Sequence, residues 1–120
     1  MKSDKLKIAK ILFWMALIGS YILAIIPLDH QPKITPFSDK GNHFIAFGVL
    51  TFLILYGYRV RYHIAFVLML LYGIWIEITQ LFIVNRYAEV MDVVADVVGI
   101  VGAMVIYWVY QKKLQIKSPT

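Results

Sequence analysis

VMDVVADVVGIVGAMVIYWVYQ, the stretch from Val90 to Gln111, decides the fold of this chain. Crossing the hydrocarbon core of a bilayer takes about 20 apolar residues in a helix that rises about 1.5 Å per residue. The stretch is long and apolar enough for such a helix, although it contains two acids, Asp92 and Asp96. It therefore predicts a membrane-spanning helix whose two carboxylates either pair with another polar group or belong to a functional site.

Three further apolar runs precede this stretch, so the chain has four candidate spans. The composition agrees, because 61% of the residues are hydrophobic and 16% are charged, whereas soluble domains carry about a quarter charged residues. The connections after the second and third runs are short, which favours antiparallel neighbours. The predicted fold is an all-α integral membrane protein, a four-helix up-down-up-down bundle. Residues 1–120 are predicted to form one domain, with spans at about 9–28, 41–58, 63–83 and 90–110.

Basic residues indicate the orientation of the bundle. Most of the 12 Lys and Arg residues lie before the first run, between the second and third runs, or after the fourth. Cytoplasmic loops carry such an excess, so both termini are predicted to be cytoplasmic. The first run exceeds the apolar core of a secretory signal, about 7–15 residues, and is expected to stay as a helix. The net charge of +5 predicts contact with anionic lipid headgroups and not with nucleic acid.

Polar side chains gather toward the outward ends of the predicted helices. Glu77 and Gln80 are three residues apart, and Asp92 and Asp96 are four apart, so each pair shares one helix face. Ionisable residues within a span are costly and indicate a functional site by default. We predict an outward polar pocket, without assigned catalytic residues, formed by Asp39, Lys40, His43, Glu77, Gln80, Arg86, Asp92 and Asp96.

The fourth run carries small residues on the same face as its two acids. Gly99 follows Asp96 by three residues, and Ala103 follows Gly99 by four. Small residues at this spacing let a neighbouring backbone approach closely. This face is therefore predicted to point into the bundle.

Several chemistries fit the residue types of the predicted pocket. His43 and the acids of the third and fourth runs could bind a hard or borderline cation. The sequence has no H-x-x-x-H or H-E-x-x-H pattern, however, and we predict no metal and no cofactor. Paired carboxylates can also act as general acid and base, so whether the protein is an enzyme stays open. Alternatively, Lys40 or Arg86 neutralises the acids and fixes helix register without any ligand.

Three blocks of the sequence resemble those of VanZ-like membrane proteins. Residues 39–44, DKGNHF, resemble the D-K-x-x-H-F segment of that family, and residues 77–82, EITQLF, followed by Arg86, resemble its E-x-x-Q-x-F…R segment. Residues 92–99 match its D-x-x-x-N/D-x-x-G helix, although many relatives carry Asn where this chain has Asp96. The order and spacing of the three blocks make the resemblance fairly specific, and it extends from Asp39 to about Tyr107.

The resemblance implies a multi-pass protein of the bacterial cytoplasmic membrane with a role at the cell envelope. Together with the polar pocket, it leads us to expect binding or modification of an envelope lipid or lipid-linked wall precursor. Lys40 and Arg86 would meet anionic groups, and His43 would shuttle a proton. The family takes its name from a protein that gives low-level resistance to teicoplanin-type antibiotics, and many members lie outside resistance clusters. A link to teicoplanin tolerance is therefore an implication of the name alone.

Two other classes of function stay open. The carboxylates could line a cation or proton path, but the inner halves of the predicted helices offer few polar residues, so a path would need oligomerisation. The chain could also be a non-enzymatic subunit that packs against a larger membrane protein through its small-residue faces. Its expected partners are thus membrane lipids, a lipid-linked substrate, and further copies or another membrane protein.

Overall fold

The residues that the structure describes form four helices, with three residues between the second and third and nine between the third and fourth. The computed structural model describes residues 2–26, 39–84 and 88–117, with the side chains of 2, 39, 40, 116 and 117 left out. The helices are α1 (Lys2–Ile25), α2 (Asp39–Tyr58), α3 (Tyr62–Gln80) and α4 (Val90–Lys117). No strand occurs among the described residues, and each helix is long and apolar enough to cross a membrane. The all-α prediction with four membrane-spanning candidates is confirmed.

The helix ends differ from the predicted spans at several places. α3 ends at Gln80, whereas its span was predicted to reach residue 83. The amides of Leu81 and Phe82 bond the carbonyls three residues back, at 3.2 and 3.0 Å, and this tighter turn ends the helix. α1 and α4 extend beyond their predicted spans, to Lys2 and Lys117. The predicted end of the first span, residues 27 and 28, lies outside the described residues.

α2 lies at the centre of the bundle and contacts the three other helices, α4 most extensively. Its Phe47, Leu50 and Leu55 are almost completely buried. The outer surfaces of the bundle remain strongly apolar, as shown by Met15, which is 63% exposed, and Ile106, which is 62% exposed. Soluble proteins rarely expose apolar surface on this scale, so the exposed faces suit lipid.

Contacts between helix ends establish the direction of each helix. A Cβ atom on Gly57, in the last turn of α2, would lie 3.4 Å from the Cβ of Ala9, in the first half of α1. Trp14, in the middle of α1, donates a hydrogen bond of 2.7 Å to the Tyr58 hydroxyl at the end of α2. Gln80, at the end of α3, donates to the carbonyl of Ala24, near the end of α1, over 3.2 Å. The ring of Tyr62, at the start of α3, contacts that of Tyr107 in the last part of α4. Helices adjacent in sequence are therefore antiparallel.

The crossing of α2 and α4 is closest at Gly99. A Cβ atom at this position would overlap the backbone carbonyl oxygen of Phe44 and would lie 3.2 Å from the amide nitrogen of Gly48. Asp92, Asp96 and Ala103, on the same face of α4, are buried, which agrees with the predicted inward face. The missing side chain thus lets the two backbones approach closely and brings the starts of α2 and α4 side by side.

Candidate functional site

Three helices bring one polar side chain each to the same end of the bundle. His43 lies in the second turn of α2, Glu77 in the last turn of α3 and Asp92 in the first turn of α4. One nitrogen of His43 and one carboxylate oxygen each of Glu77 and Asp92 lie within 4.8 Å of one another. All three residues are buried, with exposed fractions of 9%, 8% and 2%. With Asp96, described next, we call these residues the outer cluster, a label that follows the orientation predicted from the sequence.

Asp96 holds the histidine of the cluster in place. Its Oδ1 lies 2.8 Å from Nδ1 of His43, and because a carboxylate only accepts, the ring donates this hydrogen bond. In a neutral imidazole, this arrangement leaves Nε2 as the basic ring nitrogen. The ring also stacks on Phe47 one turn further along α2, at a centroid distance of 6.2 Å. The hydrogen bond and the stacked ring therefore fix the orientation of the histidine.

Glu77 is fixed through only one of its oxygens. Its Oε2 accepts a hydrogen bond of 2.8 Å from the backbone amide of Glu89, in the segment that leads into α4. Its Oε1 is buried and has no hydrogen-bond partner among the described residues. A buried carboxylate oxygen without a donor is costly. Glu77 therefore offers a vacant acceptor toward the interior of the cluster.

Gln80 belongs to the same end of the bundle but connects to a different helix. It is 1% exposed, and its side-chain amide donates to the Ala24 carbonyl of α1. Its Oε1, like that of Glu77, has no partner among the described residues. The shared face with Glu77 is as predicted, and the bond to α1 fixes the C-terminal end of α3.

Gly73 also contacts the site, although it was not among the predicted pocket residues. A Cβ atom at this position would lie 2.7 Å from Oδ2 of Asp96 and 3.3 Å from the Phe47 ring. The lack of a side chain therefore makes room for the Asp96 carboxylate against α3. A signal was present in the sequence, because Gly73 precedes Glu77 by four residues and so lies on the same face of one helix.

The eight predicted pocket residues thus fall into three groups. The outer cluster contains four of them, and Gln80 lies at the same bundle end. The side chains of Asp39, Lys40 and Arg86 lie outside the described residues, so their position relative to the cluster stays a prediction. The role of all eight as a binding pocket also stays a prediction.

The arrangement limits the chemistry that the outer cluster can perform. Three carboxylates and one imidazole share a volume from which water is largely excluded. Such groups accept hydrogen bonds from a ligand, bind a cation, or transfer protons as general acid and base. A buried carboxylate oxygen that accepts no hydrogen bond from the described residues, such as Oε1 of Glu77, is unfavourable. The chemistry therefore favours a ligand that supplies positive charge or hydrogen-bond donors.

Comparison with known proteins identifies the family of the chain. No curated protein and no solved structure matches it. The model of the VanZ/LLP1 family matches residues 7–111, a range that covers α2 and α3 completely, most of α1 and α4, and every residue of the outer cluster. The resemblance noted from the three sequence blocks is confirmed, and together with the four apolar helices it supports a membrane protein. The chain belongs to the VanZ/LLP1 family.

Proposed function

We propose that this VanZ/LLP1 protein binds the polar headgroup of a cell-envelope lipid, or of a lipid-linked wall precursor, in the outer cluster. The observation that carries the proposal is the convergence of His43, Glu77 and Asp92 from three helices into a buried site. A purely structural network has no use for the vacant Oε1 of Glu77. Donors on a headgroup, such as hydroxyl or ammonium groups, would satisfy it.

We propose that the cluster faces away from the cytoplasm in the bacterial inner membrane, with both termini inside. Supporting this orientation, basic residues concentrate at the opposite end of the bundle. There the ammonium group of Lys10 lies 5.1 Å from the centre of the Tyr58 ring, and that of Lys112 lies 5.4 Å from the Trp108 ring. Lysines and aromatic rings at one helix end are typical of a cytoplasmic membrane interface.

An apolar groove beside the outer cluster favours a lipid as the ligand over a soluble molecule. It has a volume of about 400 Å³ and follows the seam between α2 and α4 from Phe44 and Gly99 to Ile106. Phe44 is the residue after His43, and Gly99 lies one turn beyond Asp96. A lipid whose headgroup occupies the cluster would therefore have a place for one hydrocarbon chain along the same seam. In this proposal Lys40 and Arg86 contact the phosphate of the headgroup.

Lipid retention by the purified protein tests the proposal. The wild type and the double variant Glu77→Gln/Asp92→Asn are extracted from the same membranes, and the retained lipids are identified by native mass spectrometry. We expect the wild type to retain an envelope lipid that the double variant loses. Asp4→Asn, which removes an exposed acid from the first turn of α1, is the matched control and should retain the lipid. Equal retention by all three proteins would contradict the proposal.

The link to teicoplanin is a separate part of the proposal and is tested in cells. If the ligand is a lipid-linked wall precursor, a strain lacking this protein should become more susceptible to teicoplanin. Complementation with the wild type should restore tolerance, and complementation with the double variant should not. Unchanged susceptibility in the deletion strain would restrict the proposal to envelope lipids outside wall synthesis.

A further inference from the structure

We propose that His43, Glu77 and Asp92 bind a divalent metal ion of borderline hardness, Mn²⁺ or Zn²⁺, and that Asp96 positions the histidine ligand. This inference reverses the expectation of no metal. That expectation relied on the absence of local motifs such as H-x-x-x-H, whereas the three ligands here come from three different helices. It goes beyond lipid binding and does not depend on it.

The spacing of the three side chains suits a single ion. Bonds of about 2.0–2.2 Å from an ion to nitrogen and oxygen place neighbouring ligand atoms about 3–4 Å apart. The candidate ligand atoms of His43, Glu77 and Asp92 already lie within 4.8 Å of one another. On binding, rotation of these side chains would bring the ligand atoms to the shorter spacing. Three protein ligands would leave further coordination positions open for water or a headgroup oxygen.

The hydrogen bond between His43 and Asp96 is a second, independent indication. Histidines that bind metals almost always donate their other ring N–H to a carboxylate, a carbonyl or water, which fixes the ring and increases the basicity of the ligand nitrogen. The 2.8 Å contact from Nδ1 of His43 to Oδ1 of Asp96 has this form. Gly73 makes the space that Asp96 needs for it.

The orientation of Glu77 is a third indication. The backbone amide of Glu89 holds Oε2, while Oε1 is buried and accepts no hydrogen bond from the described residues. A metal ion bound to Oε1 would satisfy this oxygen at the same time as it neutralised the carboxylate. The residue, 8% exposed, is thus arranged as a monodentate ligand.

The set of ligands also selects the class of ion. Two carboxylates and one imidazole combine the oxygen donors preferred by Mn²⁺ with the nitrogen donor preferred by Zn²⁺. Ca²⁺ takes six to eight oxygen ligands, which three side chains do not supply. An ion at this position would contribute the positive charge that a phosphate-bearing headgroup needs.

A metal-binding measurement on the purified protein in detergent tests the inference. The protein is first treated with a chelator to remove bound metal, and no lipid is added. Mn²⁺ is titrated by electron paramagnetic resonance, and Zn²⁺ is added as a competitor. We expect one saturable ion per chain, displaced by Zn²⁺. His43→Ala, Glu77→Gln and Asp92→Asn should abolish this binding, while Asp4→Asn should leave it unchanged. Circular dichroism confirms that each variant keeps its helices.

Asp96 variants distinguish a positioning residue from a bystander. Loss of a carboxylate behind a ligand histidine lowers metal affinity by about 10–100-fold, so Asp96→Ala should do the same. Asp96→Asn keeps an oxygen acceptor for Nδ1 and should recover most of the affinity. Equal affinities for the wild type and Asp96→Ala would overturn the role assigned to Asp96.

Two outcomes would overturn the metal site itself. One is a wild type that shows no saturable binding of Mn²⁺ or Zn²⁺ at millimolar concentrations. The other is unchanged binding in Glu77→Gln, since the ion would then lie elsewhere. If Lys40→Met or Arg86→Met binds Mn²⁺ and the wild type does not, a basic side chain neutralises the acids in place of the metal. Because the titration measures the bound ion and not retained lipid, these outcomes leave the lipid proposal untouched.

Discussion

The two ends of the bundle carry polar groups of opposite kinds. At one end, which we propose to be the inner end, a wide cavity between helix termini is lined by Lys5, Arg59, Gln111 and several tyrosines, and its two basic side chains are exposed. At the outer end, one histidine and three acids are buried. Headgroups and water explain the inner groups without any specific ligand. The outer cluster has no such explanation, so the difference in burial is the reason to assign function to one end only.

The largest expected effect is loss of function on changing the outer cluster. Each charge-assisted hydrogen bond to a ligand contributes about 1.5–3 kcal/mol, so Glu77→Gln or Asp92→Asn should lower ligand affinity by at least about tenfold. The measurement is complementation of a deletion strain under cell-wall and membrane stress, with membrane levels checked by immunoblot. Lys5→Gln is the matched change at the inner end and should complement fully. If Glu77→Gln complemented fully at normal membrane levels, the two ends of the bundle would not differ in function.

The next largest effect concerns the crossing that brings α2 and α4 together. Gly99→Ala places a Cβ atom against the Phe44 carbonyl oxygen, and overpacking of this kind costs about 1–3 kcal/mol. Gly102→Ala, one turn along the same helix, meets no atom within 4 Å and should be neutral. Unfolding in mixed micelles measures both variants. Equal unfolding free energies would show that the close crossing does not hold the outer cluster together.

A smaller effect is expected at Gly73, where the added atom meets a side chain. In Gly73→Ala, the Cβ atom would lie 2.7 Å from Oδ2 of Asp96, and the carboxylate can move. We expect a loss of unfolding free energy of about 1 kcal/mol or less, with a clear weakening of ligand or metal binding. Gly19→Ala has no atom within 4 Å and serves as the control. If Gly73→Ala bound the ligand or metal as tightly as the wild type, the position of Asp96 would not matter for binding.

The smallest effect is expected at the inner end. Arg59 is exposed, and charges at such positions contribute about 1 kcal/mol or less. Arg59→Gln should therefore change the unfolding free energy by less than about 0.5 kcal/mol and should leave lipid retention unchanged. A decrease in complementation as large as that of Glu77→Gln would show that both ends of the bundle are functional.

The sequence predicts the helices and their inward faces well, because both depend on local patterns. Apolar length gives four spans, and the spacing of Asp92, Asp96 and Gly99 gives the buried face of α4. The end of α3 at Gln80 was not predicted, since apolar residues continue past it and the ending depends on hydrogen bonds in the turn.

Contacts between distant residues were beyond the sequence patterns. The bond between His43 and Asp96 joins residues 53 positions apart, and it requires both the α2–α4 crossing and the space beside Gly73. The three proposed metal ligands also come from different helices, so no spacing motif within one helix predicts that they meet. The sequence predicts that these residues lie at a similar depth in the membrane, but helix packing determines which of them are in contact.

The unfolding free energy of Glu77→Gln tests most directly whether the outer cluster serves a ligand and not the fold. The amide keeps an acceptor for the Glu89 backbone N–H and removes a buried charge, so chelator-treated Glu77→Gln should be as stable as the wild type or about 1 kcal/mol more stable. If Glu77 were instead half of a structural ion pair, breaking that pair would cost about 3–5 kcal/mol. A loss of that size would contradict a functional role for the cluster.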